Sequence, residues 1–283
     1  MAAGGMRARA RNYTILKYIF MVLVSVVMLL PLLWMLSTAL KGDESIYAYP
    51  PEWIPSTFHW ENFARGIEQA VFWQKFLNSA IITVTATIGQ VLSCMIVAYP
   101  LARIRFPGRA FWFYCIIGSM MLPSMVSFLP VFKVFSAIGW YNTWLPLIVP
   151  SWLGGPFYTF LLRQYYMTIP TSFDEAAKID GASHLSILFR IIAPMSLPAI
   201  TVIVIGQALA SWSDFFSPLI YLPDQSKWTL SLAMANFTSQ YHTVWNLFMA
   251  IALMYMLPSV IIFFVAQRYF MQGLGSLNTV GLK

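Results

Sequence analysis

One acidic side chain lies inside an apolar stretch that is long enough to cross a membrane. Asp214 follows Gln207 by seven residues and Ser211 by three, and this spacing places the three side chains on one face of a helix. Ionisable groups within a membrane usually line a cavity or a transport route. The three residues therefore predict a hydrated pathway for a polar solute.

A second polar stripe has the same helical spacing. Thr83, Thr87 and Gln90 lie at i, i+4 and i+7 in another uncharged run. Two such stripes indicate a polar path between two helices. Hydrogen bonds between neighbouring helices are the competing interpretation, because polar side chains often serve that purpose in membrane bundles. Trp212 also has two interpretations, since its ring could stack on a sugar or anchor a helix at the membrane interface.

The residues expected of an enzyme do not stand out in the sequence. No Gly-rich loop followed by Lys-Ser or Lys-Thr is present, so the chain itself is not expected to bind nucleotide. The three histidines are scattered without metal-ligand spacing. Cys94 and Cys115 lie in apolar runs and are interpreted as reduced packing residues. We therefore expect no catalytic group, metal or cofactor in this chain, and any energy source must be a partner.

The longest polar segment with helix signals spans residues 163–194. Pro170 ends whatever helix precedes it, because a proline biases the residue before it away from the helical region. Ser172 is followed three residues later by Glu175, which predicts a capping box at the start of a short helix. This segment is therefore expected to contain a water-exposed helix with a rigid start.

The same segment contains signals for a break and a second helix. Gly181 interrupts the short helix after Asp180, and Ser183 is placed to cap a helix that continues to Pro194. The segment is thus predicted to be a helix–glycine–helix elbow, and we call residues 163–194 the elbow.

A gapped motif runs through the elbow. Glu175-Ala176-Ala177 is followed after three residues by Gly181, after nine more by Ile191, and then by Ala193-Pro194. This spacing resembles the EAA loop of binding-protein-dependent ABC importer permeases, with Ala193 in place of the usual Leu. In that family the loop is a coupling helix that docks in a groove of the cytoplasmic ATPase. The resemblance implies that the ATPase-coupling residues are Ser172, Asp174, Glu175, Ala176, Ala177, Asp180 and Gly181.

Within this resemblance two residues are expected to have distinct roles. Glu175 would anchor the elbow to the ATPase by a charge-assisted contact, and Gly181 would let the two helices cross closely.

Other stretches carry the same resemblance. Residues 212–219 resemble a Trp-Asn-Asp/Glu-Phe…Pro-Leu stretch of sugar-importer permeases, with Ser213 in place of Asn. Residues 266–274 are similar to the C-terminus of the second permease subunit of the maltose importer, whose tail enters the ATPase dimer interface. The loop before the last apolar run corresponds to one that reaches into the binding protein, which implies contacts by Phe237, Gln240, Tyr241 and His242.

The composition is that of an integral membrane protein. Of 283 residues, 59% are hydrophobic and only 10% are charged, whereas a soluble domain carries about 25% charged residues. We predict an all-α polytopic protein with a single transmembrane domain over residues 1–283, and the resemblance implies the type I ABC importer permease fold. A cytoplasmic arm at 1–17 precedes six predicted membrane spans: 18–40 (uncleaved), 76–102, 110–132, 143–162, 195–220 and 244–266.

The basic residues predict the orientation. With six spans, twelve of the 17 Lys and Arg residues fall on the side of the termini and the elbow. Such an excess marks the cytoplasmic side, so both termini and the elbow are predicted to be cytoplasmic. The net charge of +7 is then explained without a nucleic-acid partner. The predicted location is the bacterial inner membrane.

These observations favour a permease subunit of an ATP-driven sugar importer that forms half of the translocation pathway. The expected partners are a second homologous permease, two ATPase subunits that bind ATP and Mg²⁺, an extracytoplasmic binding protein and membrane lipid. An ion-coupled secondary transporter with Asp214 as its ion site is the first alternative, and a lipid-active membrane enzyme is the second. Glycerol phosphate or a polyol is the alternative substrate, although a phosphate prefers Arg or Lys and the spans have none.

Overall fold

The chain is built from helices joined by turns. A computed structural model describes residues 2–237 and 244–280, and these residues form no strand. The α-helices are α1 (Ala2–Ala39), α2 (Glu61–Gln69), α3 (Phe72–Arg103), α4 (Arg109–Ser119), α5 (Ser124–Ala137), α6 (Leu145–Trp152), α7 (Pro156–Thr168), α8 (Ser172–Ile179), α9 (His184–Ile187), α10 (Ala193–Met195), α11 (Leu197–Ser213), α12 (Phe216–Tyr221), α13 (Leu230–Met234) and α14 (Trp245–Val280). A π-helical turn, Leu188–Ile192, separates α9 from α10. The all-α fold class is confirmed.

Four described stretches are long and apolar enough to cross a membrane. They are Asn12–Ala39, Phe72–Arg103, Leu145–Thr168 and Trp245–Val265. A fifth candidate is the pair His184–Met195 and Leu197–Ser213, whose two parts are bent by 83°. The count of six spans stays a prediction.

The predicted span 110–132 is not one continuous helix. It is divided between α4 and α5, and Pro123 stands in the gap with an extended backbone (φ −59°, ψ 129°). A proline lacks the N–H that would continue the helix and disfavours helical geometry in the residue before it. Pro130 lies inside α5, so of the two prolines in this run only Pro123 stands at a helix break.

The fifth predicted span, 195–220, is also divided. Helix α11 ends at Ser213, Asp214 has extended geometry (φ −66°, ψ 116°), and α12 begins at Phe216. The polar residue in the apolar run therefore marks a helix break.

The described residues form two compact units. The first unit consists of Met1–Val71 and Met234–Met254. In it, Asn62 donates from its side-chain amide to the carbonyls of Ala39 and Lys41 at 3.0 and 2.9 Å, and Asn246 donates to Lys41 O at 3.2 Å. Both asparagines are 1% exposed. These bonds satisfy carbonyl groups that the end of α1 would otherwise leave without partners.

Lys41 is enclosed in the same unit. Its ammonium lies 4.2 Å from the centre of the Trp34 ring. At this distance the positive charge is attracted to the face of the ring by a cation–π interaction. Burial lowers the pKa of Lys41, and the negative charge of Glu52 partly opposes this shift.

The second unit consists of Phe72–Ala233 and Tyr255–Lys283, and α3 lies at its centre. Helix α3 packs against α6, α7 and α11. Gly89 permits one of these contacts, because a Cβ at this position would lie 2.3 Å from the Trp152 ring. The core of the unit is formed by Cys94, Met95, Ala98, Tyr99, Leu162, Tyr166, Ile169, Ala177, Ile187, Leu188, Ile192, Ala199 and Ile203.

The break between α6 and α7 is supported by side chains of α3. Ser93 donates its hydroxyl to Ser151 O at 3.0 Å, and the Cys94 thiol lies 3.7 Å from Gly155 O. Carbonyl groups freed by a broken helix need such partners in a membrane. The break between Trp152 and Pro156 thus depends on α3 for hydrogen bonds.

Candidate functional site

The short helix of the elbow begins without the predicted capping box. Thr171, which precedes α8, already has helical geometry (φ −69°, ψ −19°), and no side chain caps the helix start. Ser172 is therefore the first helical residue and not the N-cap, so its hydroxyl is not in the capping position. The capping-box prediction for Ser172 and Glu175 is wrong for this geometric reason.

The end of the same helix matches the sequence prediction more closely. Gly181 has a positive φ of 74°, which glycine adopts without the penalty paid by other residues. The Gly181 N–H donates to Lys178 O and the Ala182 N–H to Ala177 O, at 3.0 and 2.9 Å. These two bonds form a Schellman motif. The helix ends at Ile179, so Asp180 lies just outside it.

The role expected of Gly181 needs correction. A Cβ placed on Gly181 would meet nothing within 4 Å. Close crossing of two helices of this chain therefore does not require a glycine at this position. The positive φ of the backbone is what requires it. Ser183 caps the next helix as predicted, because its hydroxyl accepts from the Ser186 N–H at 3.3 Å.

Asp174 points into the protein and not towards a partner. It is 6% exposed, and Arg103 Nη1 lies 3.6 Å from its Oδ2. The Tyr99 hydroxyl lies 3.5 Å from Asp174 Oδ1 and 3.5 Å from His184 Nδ1. The prediction grouped Asp174 with the ATPase-coupling residues, whereas the structure gives it contacts with α3. The opposite charges of Arg103 and Asp174 attract each other, which offsets the cost of burying either side chain.

Three arginines surround the last turn of α3. Arg163 donates to Leu101 O at 3.1 Å, Arg109 donates to Ala102 O at 3.2 Å, and Arg103 reaches Ile169 O at 2.7 Å. Positive groups near a helix C-terminus donate hydrogen bonds to its free carbonyls and interact favourably with the negative end of the helix dipole. The sequence predicted that these arginines lie on the cytoplasmic side, and the structure adds that Arg163 and Arg109 cap α3 while Arg103 bonds a carbonyl at the end of α7.

The other face of α8 is open. Glu175, Ala176, Lys178 and Asp180 are exposed, and Ile179 is 87% exposed. Leu185, just beyond the turn, is 61% exposed. Ala177 is buried in the core. The elbow therefore presents a surface of charged and apolar side chains, while Asp174 and Ala177 hold it to the unit.

The predicted pathway stripe on α11 lines a polar cleft. The cleft has a volume of about 220 Å³. We call it the polar cleft, and its lining residues are Ile82, Pro146, Leu147, Ser151, Gln207, Ala210, Ser211, Asp214, Ser217, Pro218 and Thr229. Among these described lining residues Asp214 is the one charged group. Gln207, Ser211 and Asp214 thus face a common space, as their spacing predicted.

Asp214 also has a structural role in the cleft. Its Oδ1 accepts from the Ser217 N–H at 3.1 Å, and its carbonyl accepts from the Ser231 hydroxyl at 2.6 Å. The carboxylate therefore satisfies an N–H at the start of α12. Gln207 donates to the Ser151 hydroxyl at 3.3 Å, which links α11 to α6.

Trp212 is packed away from the polar cleft. It is 3% exposed, its ring stacks on Tyr255 at 5.8 Å between centroids, and its indole N–H donates to Tyr255 O at 3.1 Å. The Tyr255 hydroxyl donates to Trp212 O at 3.1 Å. The ring is thus occupied by packing and offers no face for sugar stacking in this structure.

The second predicted stripe lies elsewhere on α3. Thr83, Thr87 and Gln90 are absent from the described lining of the polar cleft. Gln90 is buried against Gly155 and donates to Cys94 Sγ at 2.9 Å. The hydroxyls of Thr83 and Thr87 are buried and form no hydrogen bond within the described part of the chain. Packing between helices describes Gln90 better than a pathway does.

Sequence reasoning missed a set of bonds at the first turn of α3. Lys75 donates to Gln225 O, Asn78 donates to the carbonyls of Ser226 and Trp228 at 2.9 Å each, and Leu230 N–H donates to the Ser79 hydroxyl at 2.7 Å. We call residues 225–230 the clasped loop. No local sequence pattern predicts these bonds, because about 150 residues separate the partners.

An acid next to the clasped loop has a shifted pKa. Ser226 donates its backbone N–H and its hydroxyl to Asp224 Oδ1, at 2.9 and 2.8 Å. These bonds lower the pKa of Asp224, and the positive charges of Lys227 and Lys75 contribute further. The loop is thus ordered around an ionised carboxylate.

The predicted binding-protein contact is only partly visible. Phe237 is 4% exposed and packs on Phe248, with ring centroids 6.5 Å apart. Its side chain is therefore buried here and not presented to a partner. Gln240, Tyr241 and His242 lie outside the described residues, and their contacts stay a prediction.

Comparison with known proteins places this geometry in a family. The family model for "Binding-protein-dependent transport system inner membrane component" matches residues 91–275. An arabinooligosaccharides transport system permease protein, AraQ of Halalkalibacterium halodurans, is 32% identical over 78% of this chain and 79% of its own length. The sn-glycerol-3-phosphate transport system permease protein UgpE of Shigella flexneri is 30% identical over 92% of this chain and 95% of its own length.

A solved structure has the same fold. A chain of a bacterial ABC transporter involved in the import of the acidic polysaccharide alginate superposes with a TM-score of 0.81. The match covers 92% of this chain and 97% of that chain at 21% sequence identity.

Proposed function

This chain belongs to the family of binding-protein-dependent transport system inner membrane components, an ABC importer permease, and on that premise we propose that it forms half of the translocation pathway of an ATP-driven sugar importer. The observation that carries the proposal is the joint presence of the elbow and the polar cleft in one family member. The elbow offers a surface for an energy-supplying partner, and the cleft offers polar groups to a solute.

The partners follow from this role. A second homologous permease would supply the other half of the pathway, and two cytoplasmic ATPase subunits would bind ATP and Mg²⁺. An extracytoplasmic binding protein would deliver the substrate. The open face of α8 supports the ATPase contact, because Glu175 and the 87% exposed Ile179 form a small surface with both charged and apolar character.

The coupling step would act through the elbow. Closure of the ATPase subunits on ATP would move α8, and Asp174 would carry that movement into α3 through Arg103. Glu175 would hold the partner from the exposed side. Both termini and the elbow would lie in the cytoplasm, as the distribution of basic residues indicates.

A neutral sugar is the substrate class that the polar cleft favours. The described lining offers hydroxyl groups, one amide and the carboxylate of Asp214, which can bond sugar hydroxyls. A phosphate is bound best by Arg or Lys, and neither is among the described lining residues. AraQ is named for a neutral sugar substrate, whereas UgpE is named for glycerol phosphate. The similarity to UgpE makes glycerol phosphate the second candidate.

An ion-coupled mechanism receives less support. Asp214 would be its ion site, yet its carboxylate already accepts from the Ser217 N–H at a helix start. The family is defined by dependence on a binding protein, which suits ATP-driven import.

Reconstituted transport tests the proposal. The chain is purified with its partner subunits and placed in liposomes, with the binding protein outside and ATP inside. We expect vanadate-sensitive uptake of a labelled neutral oligosaccharide such as arabinotriose, and no uptake of labelled glycerol 3-phosphate. Uptake that persists without ATP and follows an ion gradient would contradict the ATP-driven proposal. ATP-driven uptake of glycerol 3-phosphate alone would overturn only the substrate class.

A further inference from the structure

Helix α3 is bonded to other segments at both ends. Its 32 residues, Phe72–Arg103, correspond to a length of about 48 Å. The first turns bind the clasped loop, and the last turn binds the elbow. One uninterrupted helix therefore joins two sites that are too far apart for any direct contact.

The bonds at the first end fix the clasped loop by its backbone. Asn78 is 7% exposed, and its amide group donates to two loop carbonyls at 2.9 Å each. Ser79 accepts from the backbone N–H of Leu230 at 2.7 Å. Because the loop is held by backbone atoms, a shift of the loop must displace these partners or break several bonds.

The bonds at the second end fix the elbow. The guanidinium of Arg103 pairs with Asp174 at the start of α8 and donates to Ile169 O just before it. The side chains of Arg103 and Asp174 are 5% and 9% exposed. If only one partner of this buried pair moved away, the other would be left as an uncompensated buried charge, which is strongly destabilising. The two side chains are therefore expected to move together.

The middle of α3 is supported on several sides. The helix packs on α6, α7 and α11, and the Trp152 ring lies directly against Gly89. Tightly packed segments move as units and do not deform gradually. A displacement applied at one end of α3 therefore reaches the other end as a shift or rotation of the whole helix.

We propose that α3 is a strut that couples the clasped loop to the elbow, with Asn78 and Arg103 as the positioning residues at its two ends. The inference rests on the proposed function, because it concerns communication between the binding protein and the ATPase. A binding protein that contacts the clasped loop displaces it, α3 passes the movement to Arg103, and Asp174 shifts α8.

The same argument operates in reverse. Two sites that influence each other through one element do so with equal coupling free energy in both directions. ATP-driven movement of α8 therefore shifts the clasped loop and changes the affinity of the binding protein for the transporter.

Stimulation of the ATPase by the loaded binding protein tests the strut. The complete transporter is reconstituted with wild-type chain, Asn78→Leu or Arg103→Met, and ATP hydrolysis is measured with and without binding protein. We expect the binding protein to lose most of its stimulation in both variants, so that the ratio of stimulated to basal hydrolysis falls towards one. Leu77→Ala is the matched control, because Leu77 precedes Asn78 in the helix and is 57% exposed; its ratio should equal that of the wild type.

A milder variant guards against loss of folding. Gln74 is exposed and donates one bond to Ser226 O at 3.2 Å, so Gln74→Leu removes a link to the clasped loop without disturbing buried groups. We expect a smaller reduction of the same ratio. A purely structural role would lower basal and stimulated hydrolysis in parallel with the amount of assembled complex.

The outcomes separate the two proposals. A wild-type transporter whose ATPase ignores the binding protein overturns the proposed function. A wild-type transporter that responds, together with Gln74→Leu and Arg103→Met variants that respond equally well, overturns the strut alone.

Discussion

Adjacent acids in the elbow have opposite environments. Asp174 is buried against Arg103, whereas Glu175 is exposed on the open face of α8. The two side chains differ by one position, and a rotation of about 100° per residue sends them to different sides of the helix. One acid therefore attaches α8 to its own chain, and the other is free to meet a partner.

Replacing each acid by its amide should separate these roles. Asp174→Asn leaves Arg103 without its counter-charge in a buried site, so we expect destabilisation of about 3 kcal/mol and less protein in the membrane. Glu175→Gln should leave the amount and melting temperature unchanged but weaken uptake. Membrane abundance, thermal unfolding in detergent and uptake are measured in parallel. Equal loss of stability in both variants would contradict the assignment.

The burial of Asp174 could not be derived from local sequence. Its neighbours on α3 include Tyr99, which lies 75 positions earlier in the chain. Local chemistry did predict the caps that depend on nearby residues, such as Ser183 and Gly181. It failed for Ser172, because the preceding Thr171 enters helical geometry one residue early. Local sequence thus predicts which residues can cap a helix, but it predicts neither the exact first residue of the helix nor contacts between groups that are distant in the chain.

At the scale of elements, the turn between α8 and α9 depends on one backbone angle. Gly181 occupies the left-handed region at φ 74°, and Gly139 does so at φ 77° in another loop. A Cβ on either residue would meet nothing within 4 Å. The two glycines therefore differ in location but not in the strain that a side chain would introduce.

This pair provides a controlled test of the elbow. Gly181→Ala and Gly139→Ala should each cost about 1 kcal/mol through backbone strain, with similar effects on thermal stability. Only Gly181→Ala should reduce uptake and the response of the ATPase, because it reorients α8. Gly181→Asn should recover part of the loss, since Asn tolerates this region better than Ala. Equal transport defects in the two alanine variants would show that the elbow has no special role.

The apolar runs predicted most of the long helices but not their continuity. The runs that became Asn12–Ala39 and Phe72–Arg103 contain the predicted spans 18–40 and 76–102 almost completely. The run at 110–132 divided at Pro123, and the run at 195–220 divided at Asp214. Hydrophobicity reports which residues avoid water, while the breaks depend on proline geometry and on side chains that cap the freed ends.

At the scale of the whole molecule, orientation is the prediction with the widest consequences. The excess of Lys and Arg near the elbow predicts that it lies in the cytoplasm. Transport of energy from an ATPase requires this side, so an inverted chain would invalidate the coupling proposal.

Labelling of single cysteines tests the orientation. In a Cys115→Ser background, Glu44→Cys and Thr171→Cys provide exposed thiols on opposite predicted sides, while Cys94 stays buried. A membrane-impermeant maleimide should label Glu44→Cys in intact spheroplasts and Thr171→Cys only after permeabilisation. The Cys115→Ser chain alone should stay unlabelled. The reverse pattern would place the elbow outside.

The two buried asparagines of the first unit have a consequence for biosynthesis. Asn62 can bond the carbonyl at the end of α1 soon after that helix is made, but Asn246 follows Lys41 by 205 residues. The second bond must wait until nearly the entire chain has left the ribosome. A nascent chain halted before residue 246 therefore lacks the hydrogen bond from Asn246 to Lys41 O. We expect quality-control proteases to cleave such fragments near the end of α1.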